Sequence, residues 1–300
     1  MGCFFVSKNE KKLERFHLLA QHEHVFACPL CSKPMKAIPN TSFVCSSGHC
    51  FDFAKHGYVN LLTRPPKTKY DTSLFAARQH MNASGFFEPL ISRISQGIHQ
   101  NMPPHLEPLR LLDAGCGEGS HLVSIQQNIL ERTKIAPLGV GLDISKEGIK
   151  IAAKRSSNTI WCVADLARCP VMDRSFSVIL NLLSPSNYDE FHRILADDGI
   201  VIKVIPESHY LQELREALHQ HTLRDTYSNK RIQELFKRHF SLIGMERVTY
   251  SILLQKEELH SLARMTPLSW GTSDALLQRW TNQEQAEVTV DFSILYGKKG

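Results

Sequence analysis

Cys28-Pro29-Leu30-Cys31 and, after thirteen intervening residues, Cys45-Ser46-Ser47-Gly48-His49 are the residues whose types speak most directly of chemistry. A C-x₂-C turn presents two thiolates together, and C-x₃-H adds a thiolate with an imidazole. The segment between them carries Pro34, Pro39 and Asn40 around short apolar runs, long enough for a hairpin that returns one pair to the other. Three soft thiolates and one imidazole make a closed tetrahedral set, which suits one structural Zn²⁺ and leaves no open position for catalysis. Cys50, next to His49, is the alternative fourth ligand. Of the eight cysteines, four fall within residues 28–50, while Cys3, Cys116, Cys162 and Cys169 stand singly. Clustering of this kind points to metal rather than to a disulfide framework.

A second constellation lies in Leu111-Leu112-Asp113-Ala114-Gly115-Cys116-Gly117-Glu118-Gly119-Ser120. Two apolar residues end a buried strand, an acid follows, and glycines occupy alternate positions where positive φ and close ligand approach are tolerated. The run from His121 to Leu130 then reads as a helix facing the loop, giving the first strand-loop-helix unit of a nucleotide-binding α/β sheet. Ser120 stands where a dinucleotide fingerprint would have its third glycine. Leu138–Leu142 is the second strand and ends on Asp143, 24 residues beyond Gly119, where such a site needs a carboxylate for the ribose hydroxyls. Strand three, Ile160 onward, ends on Asp165, and strand four, from Phe176 to Asn181, runs into Ser184-Pro185. Asn181 and Ser184 are thereby expected at the rim of the crevice that forms along the carboxyl edge of such sheets. The G-x-G-x-G spacing resembles motif I of the class I S-adenosylmethionine-dependent methyltransferases, a fold in which the carboxylate at the Asp165 position faces the adenine amino group.

The elements that must hold these residues follow from composition and periodicity. With 42% hydrophobic and 22% charged residues the chain is a folded globular protein, and its net charge of +5 permits a polyanionic partner without demanding one. No apolar run reaches the ~18 residues of a membrane span, and Lys8 to Arg15 interrupts the short apolar start, so a cytoplasmic protein is expected. Residues 1–24 read as a solvated basic extension with at most a short helix, or alternatively as a basic arm touching nucleic acid, 25–64 as the zinc-binding module, 65–107 as a helical linker, and 108–300 as the nucleotide-binding domain. Pro65-Pro66 marks the first boundary, and Pro103, Pro104 and Pro108 end the linker, whose apolar spacing over 71–102 breaks near Gly85. Phe51, Phe53 and Tyr58 are expected to pack on the zinc module. Lys55, His56, Arg64, Lys67 and Lys69 interleave with them in a composition that suits RNA. Lys146, Lys150 and Lys154 form a stripe on one helix face, read as solvated, with contact to RNA phosphates as the alternative. A helix from Glu190 to Leu195, a turn at Asp197-Asp198-Gly199 and strand five over Ile200–Ile205 come next. Two late strands, Arg247–Leu254 and Val288–Tyr296, would complete a seven-stranded sheet.

The order of these motifs resembles the large-subunit ribosomal RNA guanine-N1 methyltransferases, a family that includes the tylosin-resistance enzymes. The matching stretches are C-P-L-C, the C-x₃-H leading into F-D-F-A-K-H-G-Y-V-N-L-L, L-D-A-G-C-G-E-G, G-L-D-I-S-K-E-G-I-K-I-A-A-K-R, Ile205–Leu214 and Met265–Trp270. The resemblance implies an α/β class I methyltransferase fold (a Rossmann-like seven-stranded sheet) with a small N-terminal zinc-binding module. It implies S-adenosyl-L-methionine and one structural Zn²⁺ as cofactors, a 23S rRNA hairpin near the peptide exit tunnel as partner, and a homodimer. Cys28, Cys31, Cys45 and His49 would hold the zinc. Gly115, Gly117 and Asp143 would hold S-adenosylmethionine, with Asp113, Gly119 and Asp165 also in its pocket. Guanine N1 carries a proton that must leave, and the residues offered for that work are His209, Glu213 and Asp165. Two other readings compete: an RNA-binding zinc protein with an inactive methyltransferase domain, and a small-molecule methyltransferase.

Overall fold

A computed structural model describes residues 8–39, 41–64, 71–102, 109–218 and 228–300, with side chains from residue 12 onward. Asn40, the Pro65-Pro66 break, Lys67, Lys69, Pro103, Pro104, Pro108 and the side chains of Lys8 and Lys11 lie outside the described residues.

The chain opens with helix α1 (Lys8–Gln21) and a three-stranded antiparallel sheet of β1 (Met35–Ile38), β2 (Ser42–Cys45) and β3 (Cys50–Asp52). β4 (Val59–Asn60), α2 (Thr72–Ala83) and α3 (Glu88–Asn101) follow. Next come β5 (Arg110–Ala114), α4 (Ser120–Thr133), β6 (Leu138–Asp143), α5 (Lys146–Arg155) and β7 (Thr159–Val163). The remainder is β8 (Phe176–Leu182), α6 (Tyr188–Ile194), β9 (Leu195–Pro206), α7 (Gln212–Leu218), α8 (Lys230–His239), β10 (Ser241–Gln255), α9 (Lys256–Met265), α10 (Asp274–Thr281) and β11 (Gln285–Lys298).

The large sheet runs β10-β11-β9-β8-β5-β6-β7-β4. Seven of these strands form the expected core: β7, β6, β5, β8 and β9 are parallel, and the β10/β11 hairpin closes the far edge antiparallel. The eighth strand is a finding. β4 arrives from the zinc module and pairs parallel to β7, Val59 opposite Cys162 and Asn60 opposite Val163. Both faces of the parallel strands are buried, which is why they read as continuous runs of Leu, Val and Ile. One face is covered by α3, α4, α5, α7 and α9, and the other by α6, α8 and the aromatic side chains of the N-terminal module.

Three expectations are corrected by packing. The extension is not solvated over 8–21, because α1 buries Phe16 and Leu19, and Phe16 meets Phe53 edge-on at 5.6 Å. Tyr58 leaves the zinc module and joins the core cluster that includes Ile149 and Ala152 of α5, whereas Phe53 stays with the module. Asp197-Asp198-Gly199 does not separate helix from strand by a turn. It is a bulge inside β9, where Leu195 still pairs with Phe176 and pairing resumes at Val178–Ile200. Helix α10, which the sequence reading had not placed, packs on α7 and α9.

Candidate functional site: a four-ligand cluster and a glycine-rich crevice

The first knuckle is a tight turn in which Ser32 N donates to the Cys28 carbonyl at 2.8 Å. The second starts at the end of β2, where Gly48 N donates to the Cys45 carbonyl at 2.9 Å. The β1–β2 hairpin sets Met35 opposite Cys45, and this register folds one knuckle onto the other. Ligand atoms of Cys28, Cys31, Cys45 and His49 all lie within 4.8 Å of one another. His49 Nδ1 is 3.4 Å from both Cys28 Sγ and Cys45 Sγ, and Cys31 Sγ is 3.6 Å from Cys45 Sγ. Four ligands around zinc at Zn–S ~2.3 Å have tetrahedral edges of about 3.8 Å, so the donor set and its spacing fit the ion. Cys50 is exposed on β3 and outside this group, so the choice between His49 and Cys50 falls to His49.

The second region is the carboxyl edge of the parallel strands. Gly115, Gly117 and Gly119 have φ of 93°, 56° and 81°, the left-handed region in which a side chain is strained. A Cβ at Gly115 would also strike Ser184 Oγ, and one at Gly119 would strike the Trp161 ring. The loop is held by its neighbour strand: Gly115 N and Cys116 N donate to the Leu142 carbonyl at 2.9 and 3.1 Å. Asp143 then braces it, accepting from Gly117 N at 2.8 Å and from Ser145 N at 2.7 Å. A carboxylate offers about four lone-pair directions, so these two bonds leave Asp143 with acceptor capacity to spare.

Asp113 is 1% exposed, and its Oδ1 has no hydrogen-bond partner among the described residues. Burial, followed by the nearby charges of Asp143 and Glu118, pushes its carboxyl up to about 8. Glu118, also buried, accepts from Ser120 Oγ at 2.6 Å and Asn82 Nδ2 at 3.2 Å, and burial raises its pKa too. Asp165 lies just beyond β7, exposed, with Oδ1 accepting from Ala167 N at 2.8 Å. Asp113, Gly115, Gly117, Gly119, Asp143 and Asp165 thus share one edge of the sheet, where carboxylates surround a glycine loop whose backbone N–H groups are taken up in bracing it.

Two residues at this edge were not singled out from the sequence. Arg78 of α2 comes within 3.6 Å of where a Gly117 Cβ would lie, so this helix covers the loop with a cation as well as an apolar ring, Phe75. Nothing in its local sequence marks Arg78. Lys203 is 6% exposed on β9 opposite Asn181, and its Nζ donates to Asn181 Oδ1 and to the Ser184 carbonyl, both at 2.6 Å. Burial draws this ammonium down to about 8. Asn181 Nδ2 and Ser184 Oγ in turn donate to the Ala114 carbonyl at 3.0 and 2.7 Å, fixing the loop after β8 against the glycine loop. A lone Lys within Ile200–Ile205 was the available signal.

The three proposed proton acceptors are not brought together. His209 lies between β9 and α7 with a 60% exposed side chain, its Nδ1 3.5 Å from Asp291 Oδ2. Glu213 holds α7 to β11, accepting from Thr289 N at 2.8 Å and Thr289 Oγ1 at 2.6 Å. Asp165 is four strands away.

A glycine-rich loop after the first core strand, an acid after the second and a reversed final hairpin define a class I S-adenosylmethionine-dependent methyltransferase, here joined to an N-terminal zinc ribbon. Comparison with known proteins agrees. Residues 111–199 match the family model described as a methyltransferase domain, and residues 26–69 match the zinc ribbon described as RlmA, N-terminal. The chain is 42% identical to a protein of Bacillus subtilis named putative 23S rRNA (guanine-N(1)-)-methyltransferase YxjB, over 92% of this chain and 97% of that one. It is 31% identical to a protein of the same description from Micromonospora griseorubida, over 89% and 94% of the two chains. Against the 23S rRNA (guanine(748)-N(1))-methyltransferase of Streptomyces fradiae it is 34% identical, over 81% and 85%. The chain belongs to the 23S rRNA (guanine-N1)-methyltransferase family, and its cofactors are S-adenosylmethionine and one structural zinc ion.

Proposed function

We propose that the protein methylates N1 of a guanine in a 23S rRNA hairpin near the peptide exit tunnel, acting in the cytoplasm as a homodimer. The observation that carries this reading is the union, in one chain, of a complete Cys28/Cys31/Cys45/His49 cluster with the braced Gly115–Asp143 cradle. The relatives that cover most of this chain's length are named for rRNA. In this reading residues 25–64 recognise RNA, α2 and α3 cover the glycine loop and one face of the sheet, and 108–300 perform transfer.

S-adenosylmethionine, when bound, supplies a methyl group on a sulfonium, already a good electrophile. The chain's own contribution is therefore mainly positioning. Asp143 orients the ribose, the backbone of Gly115, Gly117 and Gly119 admits the nucleoside closely, and Asp113 and Asp165 line its pocket. Because N1 lies on the pairing edge, the guanine must be unpaired and turned out of its stack before reaction. Its proton leaves toward His209, Glu213 or Asp165. Glu213 is the least suited of these, since both its oxygens already serve Thr289.

Tritiated methyl transfer to large-subunit rRNA, mapped by primer extension, tests the reading. N1 methylation blocks pairing, so one reverse-transcriptase stop within a hairpin is expected. Labelling without a stop would move the methyl off the pairing edge, and no labelling despite bound cofactor would favour a small-molecule substrate. Asp143→Ala should weaken cofactor binding by roughly tenfold or more, the scale of a lost charge-assisted hydrogen bond, as read by calorimetry, with rRNA binding retained.

A further inference from the structure

Two basic features lying far apart in sequence meet at the seam between the zinc ribbon and the large sheet. Once β4 pairs with β7, on which α5 packs, and Tyr58 enters the core cluster that includes Ile149 and Ala152, the turn before β4 lies near α5. That turn is closed by Ala54 N donating to the Tyr58 carbonyl and Gly57 N to the Ala54 carbonyl, both at 2.8 Å, and it carries Lys55 and His56 at its tip. From α5 come Lys150, 40% exposed, and Lys154, exposed. Behind the turn lies Arg15 of α1, whose side chain packs on the backbone of Gly57. Arg15 is only 8% exposed, and its Nε has no hydrogen-bond partner among the described residues.

All four cations act on one ring. The His56 imidazole is held below its ordinary pKa by burial first, then by Lys154, Lys150, Lys55 and Arg15. Two carboxylates face the seam: Glu147, 3.8 Å from Lys150, and Glu14, beside Arg15. Set against Lys55, Lys150, Lys154 and Arg15, they leave an excess of two positive charges around the ring among the described residues. A cation taken out of water with a donor unsatisfied costs stability unless an anion meets it. The ligand such a place fits is a run of phosphates, which positions a nucleic acid without reading its bases.

We propose that this seam is the site where the backbone of the rRNA substrate crosses from the zinc ribbon onto α5, its phosphates held by Lys55, Lys150 and Lys154 with Arg15 behind them. The inference rests on rRNA being the substrate and adds where the strand is gripped. One grip spanning both parts fixes how far the recognised hairpin stands from the carboxyl edge where transfer occurs.

The test is binding of the full, zinc-loaded chain to a 23S rRNA transcript across a salt series. Lys55→Ala/Lys150→Ala/Lys154→Ala should weaken binding by roughly tenfold or more at low salt and flatten the slope of log K against log [salt] by about 2–3, near 0.7–0.9 per phosphate lost. A control with equal charge loss on α8, Lys230→Ala/Lys237→Ala/Arg238→Ala, should leave slope and affinity close to those of the unmodified protein. S-adenosylmethionine affinity and zinc content should be the same in all three proteins. An unchanged slope in the seam variant, or an equal loss in the α8 control, would overturn the site while rRNA binding itself stands. No salt-dependent rRNA binding by the unmodified protein would instead sink the substrate reading, and the site with it.

Discussion

Asp113 shows how a single residue can be chemically legible and still acquire its properties from its surroundings. Its place two residues before Gly115 suggested a pocket carboxylate, but burial beside Asp143 and Glu118 raises its pKa from an ordinary carboxylate value to about 8. A carboxyl whose folded pKa lies above its unfolded value keeps its full contribution below the unfolded pKa, near pH 4, and loses it as pH rises through the folded value. Stability should therefore decline between about pH 4 and about pH 8 through this group. Asp113→Asn removes the titration, and urea melts at several pH values should show a flatter profile for that variant than for the unmodified protein. Gly119 makes the complementary point. With φ of 81° and the Trp161 ring against it, Gly119→Ala should destabilise the fold by more than the ~1 kcal/mol that a compatible Gly→Ala exchange involves.

At the scale of elements, the zinc ribbon is built on three strands of four, four and three residues, too small to hold itself together without its metal. A structural zinc site contributes on the order of 10 kcal/mol in such modules. Cys31→Ser should release the ion and lose the ribbon, whereas Cys50→Ser, lying outside the ligand group, should keep one zinc per chain by metal analysis. Equal zinc loss in both variants would transfer the fourth ligand back to Cys50. Helix α1 is a second support, because Phe16 and Leu19 cover apolar side chains that include Phe53.

Across the whole molecule, β4 makes the ribbon part of the large sheet rather than a tethered appendage. Shared backbone hydrogen bonds and a shared core couple the two parts, so chelation of zinc should lower the melting temperature of one cooperative transition. Two separable transitions, with the larger unmoved by chelator, would show that the β4–β7 pairing adds no coupling. Among the described residues, no helix is long and apolar enough to cross a membrane.

Local chemistry determined much of this protein before any folding was considered. Cysteine spacing specified a closed metal set, alternate glycines after Leu111-Leu112 specified a left-handed loop, and apolar runs ending on Asp143 and Asp165 specified parallel strands with acids at one edge. These features are legible because each depends on residues within a few positions of one another. Relations between distant segments were decided by tertiary structure alone. The Lys203–Asn181 contact arises from the register of β9 on β8, the cover of Arg78 over Gly117 from how α2 lies on the sheet, and the Lys55–Lys154 seam from β4 joining β7. No local pattern encodes such partners, because a buried cation or a paired edge strand is chosen by what packs beside it in three dimensions.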